Sequence, residues 1–312
     1  MASGNIKIKK YLKILAHLGA LFTVTAWGTS FISTKVLMET AGLTPIEVYI
    51  YRFTIAYVLL LAITFKKIMS NTWRDELQFF FCGVCAGSLF YLLENYALQN
   101  TTTGNVSLLS SVSPLMTTAL MAFIFRSRIG MGVAIGSIIA FIGVGFVIFS
   151  HGEGLEINPL GDLLALASSL SWSIYAIGVK RLVPVYNSLF VTRKLFFYGV
   201  LTALPLLLLQ KAPSHLGPLF TNPTYLLNLL FLVVVCSLAA YVVWNFSMKE
   251  LGPVSANNYI YIQPLVTMLA AYFVFSEEIS LLGYIGCALI IGGLIISDKL
   301  KIKISGVRHI RK

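Results

Sequence analysis

Apolar runs of about 20 residues recur along this chain, and short polar or charged clusters separate them. A helix crossing the hydrocarbon core of a bilayer needs that length. Ten membrane helices are predicted, over 14–37, 45–66, 76–98, 102–125, 130–149, 160–182, 189–209, 224–249, 253–275 and 279–298. A membrane β-barrel would instead alternate apolar and polar positions over ~10-residue strands. Pro45, Pro159 and Pro253 stand at predicted helix starts, where a missing N–H costs little. The connections are short and leave no room for a separate soluble domain. The pattern predicts an all-α integral membrane protein.

Composition agrees with the pattern. Of 312 residues, 57% are hydrophobic and 11% charged, where a soluble domain carries about 25% charged residues. With a cytoplasmic N-terminus, 20 of the 23 Lys and Arg residues fall on the inside, as the positive-inside rule requires. Lys211 is then in an outer loop, and Lys35 and Arg52 lie within spans. The tails, 1–10 and 302–312, are basic and both are expected in the cytoplasm. The net charge of +11 reads as a topology signal and an attraction for anionic headgroups. No soluble basic face exists to bind nucleic acid. Lys7, Lys9, Lys10 and Lys13 resemble a signal-peptide n-region, but the apolar stretch is too long and no A-x-A-like site follows, so a retained helix is expected. Cys82, Cys85, Cys236 and Cys287 lie in apolar runs without a second C-x-x-C or a nearby His, which favours packing over metal or redox chemistry.

The chain also repeats itself. Residues 91–143 laid on 241–293 without a gap give 11 identities in 53 pairs, among them Tyr91/Tyr241, Asn95/Asn245, Pro114/Pro264, Gly136/Gly286 and Gly143/Gly293. Trp27 and Lys35 match Trp172 and Lys180 at an offset of 145, and Arg52 matches Arg193 at 141. Two five-helix repeats are therefore expected, 11–150 and 156–301. Five is odd, so the second repeat enters the membrane from the opposite side. The matched loops FRSRI (125–129) and FSEEI (275–279) carry opposite charge, as loops on opposite sides would. This is the pattern of an inverted-topology repeat, an architecture of secondary transporters with a midplane site. No G-x-x-x-x-G-K-[ST] occurs, so neither ATP hydrolysis nor a cofactor is expected.

Three stretches carry a family resemblance: "TAWGTSFISTKVL", "NVSLLSSVSPLMTTALMAFIF" and "SANNYIYIQPLVTMLAAYFVFSEEISLLGYIGCALIIGGLIIS". With them the chain resembles the drug/metabolite transporter superfamily, in particular its EamA-type family, over nearly its whole length. The resemblance implies metabolite transport across a bacterial plasma membrane. The family usually keeps a Glu after its fourth helix, where this chain has FRSRI.

Polar groups within spans are costly and need partners or a function. Glu94 reads as a proton site or a contact for a substrate ammonium, or as an ion pair with Lys35 or Arg52. Arg52 reads as a carboxylate fork or as a partner of Glu47 or Glu94. Lys35 reads as a snorkelling or paired cation. Asn95 and Asn245 read as helix–helix hydrogen bonds or as a symmetric substrate contact. The mid-span prolines free the carbonyls of Ser110 and Ile260, which marks their helices as cavity walls. On those helices Ser111, Asn257, Asn258, Tyr261 and Gln263 are candidates, with Asn257, Tyr261 and Pro264 sharing one α-helical face. Trp27, Trp172 and Trp244, with Tyr175, offer aromatic surface to a solute. The paired glycines of 130–149 and 279–298 predict tight helix packing on a neighbour or a second subunit, away from the site.

These residues favour a secondary transporter of a small organic solute; the resemblance implies export of an amino acid or related metabolite, by alternating access, with H+ as a candidate coupling ion. A sugar, nucleoside, vitamin or drug is the alternative cargo, and a monomer or a homodimer the expected assembly. An intramembrane enzyme would need paired acid, base or metal ligands inside the spans. A channel would need a continuous pore.

Overall fold

A computed structural model describes residues 2–101, 103–126, 128–149, 158–209, 216–266, 269 and 280–299. Among the described residues the regular structure is helical throughout. Helix α1 spans Ala2–Glu39, α2 Pro45–Thr64 and α3 Trp73–Asn100. The fourth predicted span is two helices, α4 (Thr103–Ser110) and α5 (Ser113–Phe125). Then follow α6 (Met131–Phe149), α7 (Pro159–Val179), α8 (Ser188–Leu209), the short α9 (Leu216–Thr221) and α10 (Pro223–Leu251). Helix α11 (Pro253–Asn257) runs into a 3-10 turn, Asn258–Ile262, and α12 covers Leu281–Lys299. Eight helical segments among the described residues are long and apolar enough to cross a membrane, Asn105–Phe125 across the α4–α5 break being one of them, and a shorter apolar helix is Leu281–Ser297. The predicted span 253–275 and the FSEEI loop fall partly or wholly outside the described residues.

Helix starts follow local chemistry. Pro45, Pro159 and Pro253 each begin a helix. Thr44 caps α2 through a capping box, its side chain accepting from the Glu47 N–H while Glu47 Oε2 accepts from the Thr44 N–H at 2.9 Å. At the far end of α2, Arg193 of α8 donates to the carbonyls of Thr64 (2.6 Å), Lys67 (2.5 Å) and Ile68 (3.1 Å). A guanidinium there satisfies the last carbonyls of the helix and opposes its dipole. Lys194 pairs with Glu76, which also accepts from Tyr198 (2.5 Å) and Ser70. Arg193 and Lys194 therefore combine their expected side of the membrane with buried structural bonds.

Exposed positions on the helices are mostly Leu, Ile, Val and Phe, Phe123 reaching 83%. Buried positions include many Ser and Thr. This inside-out pattern is that of a protein solvated by lipid, where helices are joined by packing and hydrogen bonds. Thr23 donates to the Ala240 carbonyl (3.1 Å), Ser247 to that of Ala16 (2.8 Å) and Ser171 to that of Cys85 (2.8 Å). Helices α6 and α12 pack on each other at their glycines. A Cβ at Gly143 would lie 2.7 Å from the Gly286 carbonyl, and one at Gly286 would lie 2.7 Å from that of Gly143. Gly136 meets Gly293 in the same way. The glycine faces are thus used within one chain.

Candidate functional site

A small cavity, open on one side, lies among α1, α3, α4, α5, α7 and the 3-10 turn. Trp27, Ser30 and Phe31 come from α1, and Phe90, Tyr91 and Glu94 from α3. Ser110 and Ser113 flank the break between α4 and α5, and Ser169 and Trp172 project from α7. Ile260 and Gln263 close the wall.

Proline chemistry builds two of these walls. Pro114 cannot donate to the Ser110 carbonyl, and the helix breaks at Ser111–Val112. Ser169 and Ser173 of α7 then donate to the carbonyls of Leu109 (2.8 Å) and Ser113 (3.0 Å). Pro264 leaves the Ile260 carbonyl to accept instead from the Gln263 N–H, three residues on, which fits the tight turn before it. In 3-10 geometry four residues advance by about 120° beyond a full turn, against about 40° in an α-helix. Asn257 and Tyr261 consequently do not share a face, contrary to the sequence expectation.

Two helices carry π-helical stretches, Val84–Ser88 in α3 and Phe231–Ala239 in α10. They match under the 150-residue offset. Such widened turns re-aim carbonyls and are frequent at functional sites. Here Trp27 Nε1 donates to the Cys236 carbonyl (2.9 Å) and the Tyr241 hydroxyl to that of Ala86 (3.0 Å). Trp27 is thereby held edge-on to Trp172, ring centroids 5.1 Å apart, and Trp172 donates to Asn257 Oδ1 (3.2 Å). Asn257 in turn donates to Thr117 (2.6 Å).

Glu94 is the acidic residue of the lining, with 8% exposure. Among the described residues it forms no ion pair, so of the two sequence readings the pairing with Lys35 or Arg52 is not seen. Lys35 is partly exposed and pairs with Glu39 one turn away. Arg52 pairs with neither Glu47 nor Glu94. Glu47 is engaged in the capping box, while Arg52 Nε donates to Ser237 (2.5 Å) and its guanidinium lies 5.0 Å from the Phe53 and Tyr91 rings. Tyr91 is a cavity wall with this cation behind it.

Of the sequence candidates, Trp27, Glu94, Trp172 and Gln263 line the cavity. Asn257 supports Trp172. Asn95 donates to the Pro45 carbonyl (3.0 Å), and Asn245 donates to Thr192 (3.0 Å) and accepts from Tyr175 (2.9 Å), so these amides join helices. Ser111 turns back to the Ser107 carbonyl. Tyr261 packs against α6 and α12. Asn258 donates to Ser297 and borders a second cavity, about 890 Å³ with its mouth, where the His17 imidazole meets the Tyr259 hydroxyl at 2.6 Å. Tyr175 and Trp244 are fully buried beyond the Trp27–Trp172 pair. Ser30 and Ser169 were not anticipated. Ser30 was findable, since it matches Tyr175 at the offset of 145; Ser169 carries no such signal.

A lipid-solvated helical protein with an internal, partly polar and aromatic cavity belongs to the class of polytopic membrane proteins that handle small solutes. The chain matches the EamA-like transporter family over residues 14–149 and again over 159–297, and belongs to it. It is 25% identical over 285 residues to an uncharacterized transporter of Archaeoglobus fulgidus, covering 89% of this chain and 95% of that one. It is 23% identical over 281 residues to a probable terminal-alkyne amino-acid exporter of Streptantibioticus cattleyicolor, covering 89% and 92%. A crystal structure at 18% identity superposes with a TM-score of 0.72 over 93% of this chain and 96% of its own, a likeness of fold.

Proposed function

We propose that this transporter moves a small ammonium-bearing metabolite, such as an amino acid, by alternating access between two inverted five-helix repeats, 11–150 and 156–301. In this reading ten helices cross a bacterial plasma membrane, both termini are cytoplasmic and the direction is export. The carrying observation is Glu94, a buried carboxylate in no direct ion pair among the described residues, with Arg52 acting on it only at longer range, set in a cavity walled by Trp27, Tyr91 and Trp172. A carboxylate suits an ammonium or a coupling proton, and aromatic faces suit the rest of an amphipathic solute. Matched residues meeting each other support the inverted repeat: Trp27 with Trp172, Tyr91 with Tyr241, and Gly136–Gly293 with Gly143–Gly286. A two-fold axis produces such reciprocal contacts. The amino-acid class draws on the Streptantibioticus relative.

Counterflow in proteoliposomes tests the reading. Labelled amino acids, sugars, nucleosides and vitamins are offered against the unlabelled solute inside, with empty liposomes as the control. Exchange of an amino acid is expected. Exchange confined to another class replaces the solute, and no exchange of any offered class by folded protein removes the proposed solute.

A further inference from the structure

The cavity is lopsided with respect to the repeat in part: the matched pairs Trp27/Trp172, Ser110/Ile260 and Ser113/Gln263 line it with both members, but other positions on α1 and α3 line it alone. Ser30, Tyr91 and Glu94 line it. Their matches at offsets of 145 and 150 are Tyr175, Tyr241 and Trp244. These three are all fully buried, and they pack around the Trp27–Trp172 pair: Trp244 is 5.1 Å from Trp27, Tyr241 5.4 Å from Trp27 and Tyr175 4.9 Å from Trp172.

They lie on the far side of that pair. Helices α1 and α10 run antiparallel, with Trp27 bonded to the Cys236 carbonyl, Thr23 to that of Ala240, and Ser247 to that of Ala16. Trp244 is therefore level with residues 16–23 of α1, whereas Ser30 is beyond Trp27 in the other direction. The open set and the closed set are the same positions of the two repeats, on opposite sides of a shared aromatic floor. The Trp244 indole N–H is also buried without a hydrogen-bond partner among the described residues, which is costly unless another state supplies one.

We propose that Tyr175, Tyr241 and Trp244 form the substrate site of the opposite-facing state, with Trp27 and Trp172 common to both. This rests on the inverted-repeat reading above, because exchanging the repeat conformations exchanges the two sets. The exchange is chemically unequal. Glu94 is replaced by Trp244, so an organic cation held by a carboxylate in one state faces aromatic rings and a Tyr hydroxyl pair in the other. Cation–π attraction holds it there, without a carboxylate. Glu94 thus sets an affinity that belongs to one face of the membrane only.

The test is thiol accessibility in the full-length protein, with a membrane-impermeant maleimide applied to right-side-out cells and to inside-out vesicles. The wild type, with its four native cysteines, is the blank. Ser30→Cys is expected to react from one face, and Tyr175→Cys and Trp244→Cys from the other; monodisperse elution of each variant checks folding. Any other pattern overturns the proposal, including two inert variants in place of Tyr175 and Trp244. Tetramethylammonium is the probe of charge. It should slow labelling of Ser30→Cys several-fold, and Glu94→Gln should remove that protection. No protection, or protection that survives Glu94→Gln, overturns the cationic assignment. Labelling needs no solute. Opposite-face labelling without counterflow would fault the solute class alone, and counterflow with inert Trp244→Cys would fault this inference alone.

Discussion

The Tyr91 and Tyr241 hydroxyls meet at 3.2 Å, across 150 positions of sequence. That separation is the offset at which the chain matches itself, so each residue touches its own counterpart. Phe53 packs beside both, its ring centroid 4.7 Å from that of Tyr91 and 6.0 Å from that of Tyr241. Tyr91 faces the cavity and Tyr241 the closed half, and the hydroxyl pair ties the two together.

Glu94→Gln keeps the shape of the cavity and removes its charge. A hydrogen bond to a charged group contributes about 1.5–3 kcal/mol. Exchange of an ammonium-bearing solute should therefore weaken by roughly 10- to 100-fold in apparent affinity, with unchanged elution on size exclusion. Unaltered exchange would make Glu94 a structural residue.

Asn257→Ala removes the acceptor of the Trp172 indole N–H and a donor to Thr117. Trp172 loses its fixed orientation in the lining. Solute affinity should fall several-fold in counterflow while Thr117→Val, which touches only the outer link, has a smaller effect. Equal effects would separate Asn257 from the positioning of Trp172.

Gly143→Ala puts a methyl 2.7 Å from the Gly286 carbonyl, with backbone on one side and Leu289 on the other. Overpacking of this kind costs about 1–3 kcal/mol. Thermal stability in detergent should drop for this variant. Gly145→Ala, with nothing within 4 Å of the added carbon, should leave it unchanged.

Lys194→Met leaves the Glu76 carboxylate with Ser70 and Tyr198 as neutral donors. Removing one partner of a fully buried pair costs about 3–5 kcal/mol, and the loss here should be smaller because Glu76 is only half-buried. The variant should unfold at lower temperature, and Glu76→Gln added to it should recover part of the loss. A double variant as unstable as the single one would deny the coupling.

Much of the fold was legible because the bilayer forces a simple pattern: length, apolarity and a proline at the first turn located the helices. Trp27, Trp172 and Glu94 were legible as polar or amphipathic groups at depth. Faces beyond the prolines were not. The α4–α5 break and the 3-10 turn before Pro264 rotate later side chains away from the α-helical register, which moved Tyr261 to α6 and α12. The amides were left between two readings, helix joint and solute contact, for another reason. Asn95 and Asn245 each found a carbonyl or hydroxyl on a neighbouring helix, and no one-dimensional pattern separates that partner from a solute.

The pairing of α6 with α12 has a consequence for biogenesis. Insertion is sequential, and α6 reaches the bilayer some 130 residues before the helix whose backbone fills its glycine stripe. During that interval the Gly136–Gly143 face meets only lipid tails, which fit a bare backbone poorly. The nascent chain is then open to a wrong partner, such as the same stripe on a second ribosome's product. Completion of the last helix closes this seam from within, so quality control in the membrane has a simple object to sense: an α6 still waiting for its mate.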